Sequence, residues 1–453
     1  MTDGAADRST SNVTRRRIIA GGLMAAGATA GLTHLWLGSN SDAPVALRET
    51  GGFKAVYVIA RDDQTNVDAA LFYPYGERHN PMAEGLAHYL EHLVWNNVRT
   101  AGSDGGRHSN ALTSPNATGY MLSRARDDLP QTLRRLIASA SPLQSSPDYA
   151  RQERDIVRHE YDYRALEKPM WSVWEDTDQA IFGDSAYARR TLGTPATITT
   201  FDLAQAQALH DQTHQLAQAT LIIKGPVTPA DVIRAIDAID DWPIPRAAPL
   251  PVSVPQWAER TELNLARSTV DGIGTPQLIL RQTHLGVPNM TWPQMISARD
   301  ILLGMMFSTQ AGSLVRPLRY DAFTARTIDA GLHTLSRNGL AFWLTATPDQ
   351  GITLDTLYAE TSQHLTTLLT APGAHLFDEI KDRLIARYDS DLDPADTNAH
   401  ALFDAYVQNA HFATSAELRA ATHALSYAEF NTFTRHLTAP RSAAVRLISP
   451  TKL

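Results

Sequence analysis

Two kinds of apolar patterning alternate along the chain. Short runs rich in β-branched and aromatic residues predict strands at Ala55-Val56-Tyr57-Val58-Ile59 and Ala69-Ala70-Leu71-Phe72-Tyr73. Apolar residues spaced by three and four predict helices over 82–95, 128–140 and 148–166. The succession recurs downstream. Gln277-Leu278-Ile279-Leu280 and Ala341-Phe342-Trp343-Leu344 predict strands, and 293–307, 353–370, 375–388 and 395–410 predict helices. Between the two series the chain reads D-W-P-I-P-R-A-A-P-L-P-V-S-V-P-Q-W from Asp241, with five prolines between 243 and 255. Neither a helix nor a central strand accommodates them, so a stiff, extended linker is expected. The chain then divides into a leader (1–43), a first unit (44–240), the linker (241–257) and a second unit (258–453). The similar size of the units suggests duplication, although no short-period repeat is visible. Strands grouped ahead of helices predict an α+β fold rather than a doubly wound sheet.

The leader has a pattern of its own. T-R-R-R-I-I-A at 14–20 is followed by a mildly apolar stretch to Leu37, with Ala28-Thr29-Ala30 as a small-residue step. No acidic residue lies between Asp7 and Asp42. This arrangement is similar to a secretory leader, and Arg15-Arg16 resembles a twin-arginine signal, which implies export of a folded chain to the periplasm. The alternative is an uncleaved anchor facing the periplasm, since twenty residues just span a bilayer. Gly21, Gly22, Gly27, Gly31 and His34 weaken such a span. Membrane association is expected only through an uncleaved leader.

Composition narrows the chemistry. With 43% hydrophobic and 19% charged residues, the 453-residue chain has the material for a sizeable core. A net charge of -8 argues against nucleic acid as a partner. The absence of cysteine excludes disulfides, thiolate zinc sites, iron–sulfur clusters and cysteine nucleophiles. Any metal must be held by His, Asp or Glu.

One segment supplies such ligands. Residues 80–95 read N-P-M-A-E-G-L-A-H-Y-L-E-H-L-V-W, with Asn80 expected as N-cap and Pro81 in the first turn. His88 and His92, four apart, then share one helical face and can grip a single ion. Glu91 can lean toward an open position on that ion and move a proton. The pattern is H-x-x-E-H, the inverted form of the familiar zinc-protease motif. The helix is otherwise apolar nearly all round, and burying two histidines and a carboxylate there without partners would cost several kcal/mol. A metal supplies the reason.

A third ligand is needed. In E-R-D-I-V-R-H-E, Glu153 and Glu160 lie two turns apart on one face, so that one can bind the ion and the other orient it from behind. His159 points about 100° away and is not counted. A competing pair, His210 and His214 in H-D-Q-T-H, mimics the forward motif with Asp211 but is expected on an exposed helix face. Trp171, Trp174 and Trp343 are expected to pack rather than line a pocket.

The segment G-L-A-H-Y-L-E-H-L resembles the catalytic helix of the pitrilysin family. That family unites pitrilysin and insulin-degrading enzyme with mitochondrial processing peptidases and bacterial relatives. E-R-D-I-V-R-H-E resembles its second glutamate helix. The resemblance implies His88, His92 and Glu160 as ligands of one zinc ion per chain, Glu91 as general base and Glu153 as the supporting carboxylate. G-G-R-H-S-N-A-L-T-S-P-N-A-T-G-Y at 105–120 is similar to the family's edge strand, implying that Asn110 and Ala111 hold a peptide backbone by strand addition. Leu192-Gly193-Thr194 and Leu221-Ile222-Ile223-Lys224-Gly225 match further family positions. In the second unit the likeness rests chiefly on S-L-V-R-P-L-R at 313–319, which implies Arg319 as a substrate contact. The family's fold implies two homologous α/β-roll domains, each an antiparallel sheet covered by helices, forming half of a clamshell chamber.

Three departures from the family shape the expectation. The span from His92 to Glu160 is short for the family. The tyrosine expected seven residues after Arg319 is replaced by Arg326. Many members are twice as long. The resulting expectation is a zinc endopeptidase for short or unfolded peptides, completed by a homologous second subunit in a heterodimer or a homodimer. The alternatives are an inactive subunit serving as chamber wall, an exported peptide-binding module, or a membrane-tethered assembly factor. Imidazole and carboxylate ligands would also accept Mn or Co.

Overall fold

The computed structural model describes residues 45–47, 52–101, 109–252, 256–336, 339–389 and 415–451. The expected leader and the expected helix over 395–410 lie outside these residues. Two sheets organise the rest. The first contains β1 (Val45–Leu47), β2 (Ala55–Ala60), β3 (Asn66–Tyr73), β4 (Ser109–Thr113), β5 (Thr118–Ala125) and β6 (Thr220–Gly225), in the order β1-β2-β6-β3-β5-β4. The second contains β7 (Arg260–Val270), β8 (Gln277–Leu285), β9 (Ala325–Ser336), β10 (Gly339–Pro348) and β11 (Ser442–Pro450), in the order β7-β11-β8-β10-β9.

Without β1, the first order maps strand for strand onto the second. Each sheet also has one parallel pair, β2 with β6 and β7 with β11, among otherwise antiparallel neighbours. The fold is thus α+β, built from two sheet-and-helix units of matching topology. Of the predicted strands, the run at 69–73 extends back to Asn66, and those at 277–280 and 341–344 lengthen at one or both ends. The edge strand β7 carried no clear signal, because most of its residues are exposed and its sequence R-T-E-L-N-L-A-R-S-T-V is largely polar.

The first unit carries α1 (Leu86–Thr100) between β3 and β4, then α2 (Leu129–Ile137), α3 (Pro147–Glu167), α4 (Trp171–Phe182), α5 (Pro195–Ile198) and α6 (Leu203–Thr213) between β5 and β6, and α7 (Pro229–Asp237) after β6. The second unit carries α8 (Trp292–Met306), α9 (Leu354–Thr370), α10 (Ala374–Asp389), α11 (Ser415–Ala424) and α12 (Tyr427–His436). In the first core, Val67, Ala69, Leu71 and Tyr73 from alternate positions of β3 meet Leu86, Leu90, Leu93 and Val94 of α1. Phe72, on the opposite face, lies over Gly119 of β5, where a Cβ would come within 2.2 Å of its ring. Among the described residues no helix is long and apolar enough to cross a membrane.

Helix α4 belongs to the first unit in sequence but serves the other sheet. Val173 and Trp174 pack with Ile279, Trp343 and Ile448. Ile181 and Phe182 pack with Trp257, Leu335, Ala341 and Ala444. The Trp174 and Trp343 rings meet edge to face at 6.4 Å, the packing role expected of both. The first unit therefore covers a face of the second sheet, tying the halves together. Residues 241–252 contain no helix or strand and run along α6, where Leu250 N–H donates to Gln212 O and Gln215 Nε2 donates to Ala247 O.

Two expectations are corrected. Helix α1 starts at Leu86, not near Asn80. Asn80 instead closes a turn, accepting from Met82 N–H and donating to Ala83 O, while Gly85 takes the N-cap position at φ +90°. Gly85 must be glycine for a second reason: a Cβ there would lie 2.5 Å from the Gly193 backbone, which accounts for Leu192-Gly193-Thr194 at this crossing. The second correction concerns His210 and His214. They are buried, not exposed, and their rings stack at 4.9 Å. His210 Nε2 donates to Ser139 O, and Tyr120 Oη donates to His214 Nε2. The polar residues around the pair suggested solvent, but the actual neighbours come from β5 and from the turn after α2, which sequence proximity does not reveal.

Candidate metal centre

The centre is assembled by packing α3 across α1. Four-residue spacing on α1 brings the rings of His88 and His92 to 4.8 Å. Ser146 caps α3 through Tyr149 N–H and Pro147 occupies its first turn, so the helix starts early enough to carry Glu153 and Glu160 past both histidines. Glu160 Oε2 lies 3.5 Å from His88 Nε2 and 3.7 Å from His92 Nε2. One ligand atom from each residue lies within 4.8 Å of the others. Donor atoms sharing a tetrahedral ion at about 2.0–2.1 Å stand roughly 3.4 Å apart, so the spacing suits one ion better than direct hydrogen bonds. The residues fit a zinc-like cation.

The surrounding groups set protonation. His92 Nδ1 donates to Glu153 Oε2 at 3.0 Å, which leaves its Nε2 lone pair facing Glu160. Burial alone would depress the His92 pKa, but the Glu153 hydrogen bond and the charges of Glu91 and Glu160 raise it above the ordinary value. Glu153 is held below the ordinary carboxylate value: burial opposes this, and hydrogen bonds from His92 and Tyr149 outweigh it. Burial, helped by His92 and Arg164, keeps His88 well below its usual pKa and therefore neutral, the form that ligates. Its Nδ1 is buried without a hydrogen-bond partner among the described residues. Glu91, 7% exposed, is pushed up to about 7 by burial, against the opposing pull of His92 and the Thr113 hydroxyl. A carboxyl poised near neutrality can both accept and return a proton.

Asn110 and Ala111 lie on β4, the edge strand of the first sheet. Asn110 is exposed, and its Oδ1 accepts from Ala111 N–H. Arg319 sits on the second unit, exposed in the turn Arg316–Asp321, with its guanidinium 5.6 Å from the Tyr320 ring. It is not one of the residues drawn together around the histidine pair. Arg326 is exposed at the start of β9.

Three neighbours escaped the sequence reading. Thr113 faces Glu91, Tyr149 supports Glu153, and Arg164 binds the Glu160 Oε1 that points away from the histidines. Arg164 could have been found, since it follows Glu160 by four residues on one helix face. Thr113 could not, because only the sheet brings it to α1.

Residues 56–195 match the family described as Insulinase (Peptidase family M16). No curated protein matches the chain by sequence. Among solved structures, a protease from Helicobacter pylori superposes with a TM-score of 0.71 at 18% identity, covering 90% of this chain and 99% of that one. The periplasmic protease PqqL from Escherichia coli gives a TM-score of 0.74 at 14% identity, covering 91% of this chain and 48% of that one. A peptidase M16 inactive domain from Pseudomonas fluorescens gives 0.71 at 14% identity, covering 90% and 99%. At these identities the structures establish the shared fold, and they include both proteases and an inactive domain.

Proposed function

We propose that this chain is a zinc-dependent endopeptidase acting on short or unfolded peptides. The observation that carries the reading is the convergence of His88 Nε2, His92 Nε2 and Glu160 Oε2 beside a buried Glu91. His88, His92 and Glu160 would hold the ion, with Glu153 fixing the tautomer of His92. When bound, zinc polarises the scissile carbonyl and acidifies the attacking water. Glu91 takes a proton from that water as its oxygen attacks the carbonyl carbon, then passes the proton to the amine as the C–N bond breaks. The exposed edge of β4 suits an extended peptide added as a further strand, with Asn110 and Ala111 lining its path. Arg319 would contact substrate from the second unit.

The chain covers nearly all of some similar structures but 48% of PqqL. This supports a half-chamber completed by a homologous subunit, in a heterodimer or a homodimer, that admits only extended chains. The twin-arginine-like leader supports a periplasmic location, and an uncleaved leader would make the protein membrane-anchored.

The second reading is a chain without catalysis, serving as chamber wall or peptide-binding module. Arg326 in place of the expected tyrosine and the likeness to an inactive domain favour it. The test is metal analysis and peptide cleavage by the purified chain, alone and with candidate partner subunits. One zinc per chain is expected, with turnover that Glu91→Gln lowers by about 100-fold or more while metal content holds. Peptide affinity that survives chelation, with no products from any pairing, would establish the second reading instead.

A further inference from the structure

Glu160 could offer its two oxygens to an ion in several ways. Free to rotate, the carboxylate could swing out of the centre, chelate through both oxygens or present either one. Its surroundings remove that freedom. Arg164, one turn further along α3, donates through Nη2 to Oε1, while Oε2 is the atom facing both histidines.

Arg164 differs from an ordinary surface ion-pair partner. Its side chain is 16% exposed, and its guanidinium lies 5.7 Å from the Trp171 ring at the start of α4. The other i,i+4 ion pair described on α3, Arg158–Asp162, is far more open, with both side chains at least 40% exposed. Stacking on an aromatic face costs a guanidinium little of its fork geometry, so the Arg164 head is pinned from both sides. Its charge also reaches His88 and Glu91, which places it in the electrostatic environment of the centre.

We infer that Arg164 is a positioning residue of the metal centre: braced by Trp171, it holds Oε1 of Glu160 so that Oε2 alone is presented to an ion shared with His88 and His92. This rests on the metal-centre reading above. The role makes a prediction opposite in sign to simple electrostatics. A cation near the site repels a metal ion, so neutralising Arg164 should tighten binding if charge were its only contribution. If orientation dominates, binding should weaken, by about 10-fold on the scale of other outer hydrogen-bond partners of metal ligands.

The experiment measures affinity of the full chain for Zn2+ by chelator competition and for Co2+ by its visible spectrum, with thermal melting as a check on folding. The expected result is an affinity about 10-fold lower for Arg164→Gln, with an altered Co2+ spectrum and a nearly unchanged melting temperature. Trp171→Leu should show a smaller loss in the same direction. Unchanged or tighter binding by Arg164→Gln, in a chain whose wild type binds, would overturn this inference and leave the metal centre standing. A wild type that takes up neither ion would overturn both. Should Arg164→Gln fail to fold, Arg164→Lys carries the test: intermediate affinity supports positioning by the planar fork, and wild-type affinity refutes it.

Discussion

The two units share a strand order and differ in what their first core helix buries. In the first, α1 follows β3 and buries His88, Glu91 and Asn97 among its apolar residues. In the second, α8 follows β8, the strand equivalent to β3, and buries Met295, Ser297, Ala298, Ile301, Leu302, Met305 and Met306. Among the described residues, only the first unit assembles three metal-ligating side chains. One scaffold thus occurs twice, once with a candidate metal centre set into its core and once, among the described residues, without one. Burying two ionisable side chains, His88 and Glu91, is a cost particular to α1; the polar residue that α8 buries is Ser297, whose hydroxyl donates to Pro293 O. The same architecture presents the candidate ligand set in one copy and not in the other, so the side chains at one helix crossing make the difference.

Breaking the site should expose this asymmetry most sharply. His88→Ala or Glu160→Gln is expected to reduce zinc affinity at least 100-fold, read by chelator competition, because each removes a ligand rather than a support. The same measurement on Ser297→Ala in α8 should show no change. A loss there would mean that the second unit takes part in metal binding.

Core truncation should show the converse. Ile301→Ala in α8 removes a fully buried side chain and should cost about 2–5 kcal/mol in chemical denaturation. Its zinc affinity at temperatures where it stays folded should match the wild type. An affinity loss there would show strain passing from the second unit into the centre, with α4 as the physical link.

Metal should also stabilise the units unequally. Hydrogen exchange with and without zinc is expected to gain protection in α1 and α3, which supply the ligands, and little in α8 and α10. Equal gains would mean that the tryptophan-rich contact makes the halves one cooperative unit.

Acid, in contrast, should weaken both. His210 and His214 in the first unit and His284 and His333 in the second are held below the usual histidine pKa by burial, His210 and His333 at about 4 and His284 at about 3. His333 Nε2 accepts from Trp343 Nε1 at 2.7 Å, and His214 Nε2 accepts from Tyr120, roles that protonation would abolish. Unfolded histidine binds a proton near 6.5, so these groups favour folding fully above that pH. Their contribution falls as pH drops from 6.5 toward 4. Melting temperature should decline over that window. Replacing His333 by Gln, which keeps an acceptor without titrating, should flatten the decline slightly.

The ligand helix was legible because its signal is local. Histidines four apart on an apolar helix read the same in any fold, and the two glutamates on α3 follow the same rule. The predicted strands and helices were legible where one face is buried against a core, since burial imposes the period. The start of α1 was misplaced because Asn80 and Pro81 satisfy a capping pattern that a turn and the Gly85–Gly193 approach override. The edge strand β7 left little periodic signal because most of it faces solvent.

The candidate ligand set was therefore written into residue spacing along single helices. Its convergence was not. Glu160 comes within 3.5 Å of His88 only because α3 crosses α1, and Thr113 approaches Glu91 only because β4 completes the sheet beneath that helix. Whether His210 and His214 face water or core was likewise settled by which segments pack around them. Spacing acts over one or two helical turns, whereas burial and the meeting of distant segments depend on the packing of the whole chain.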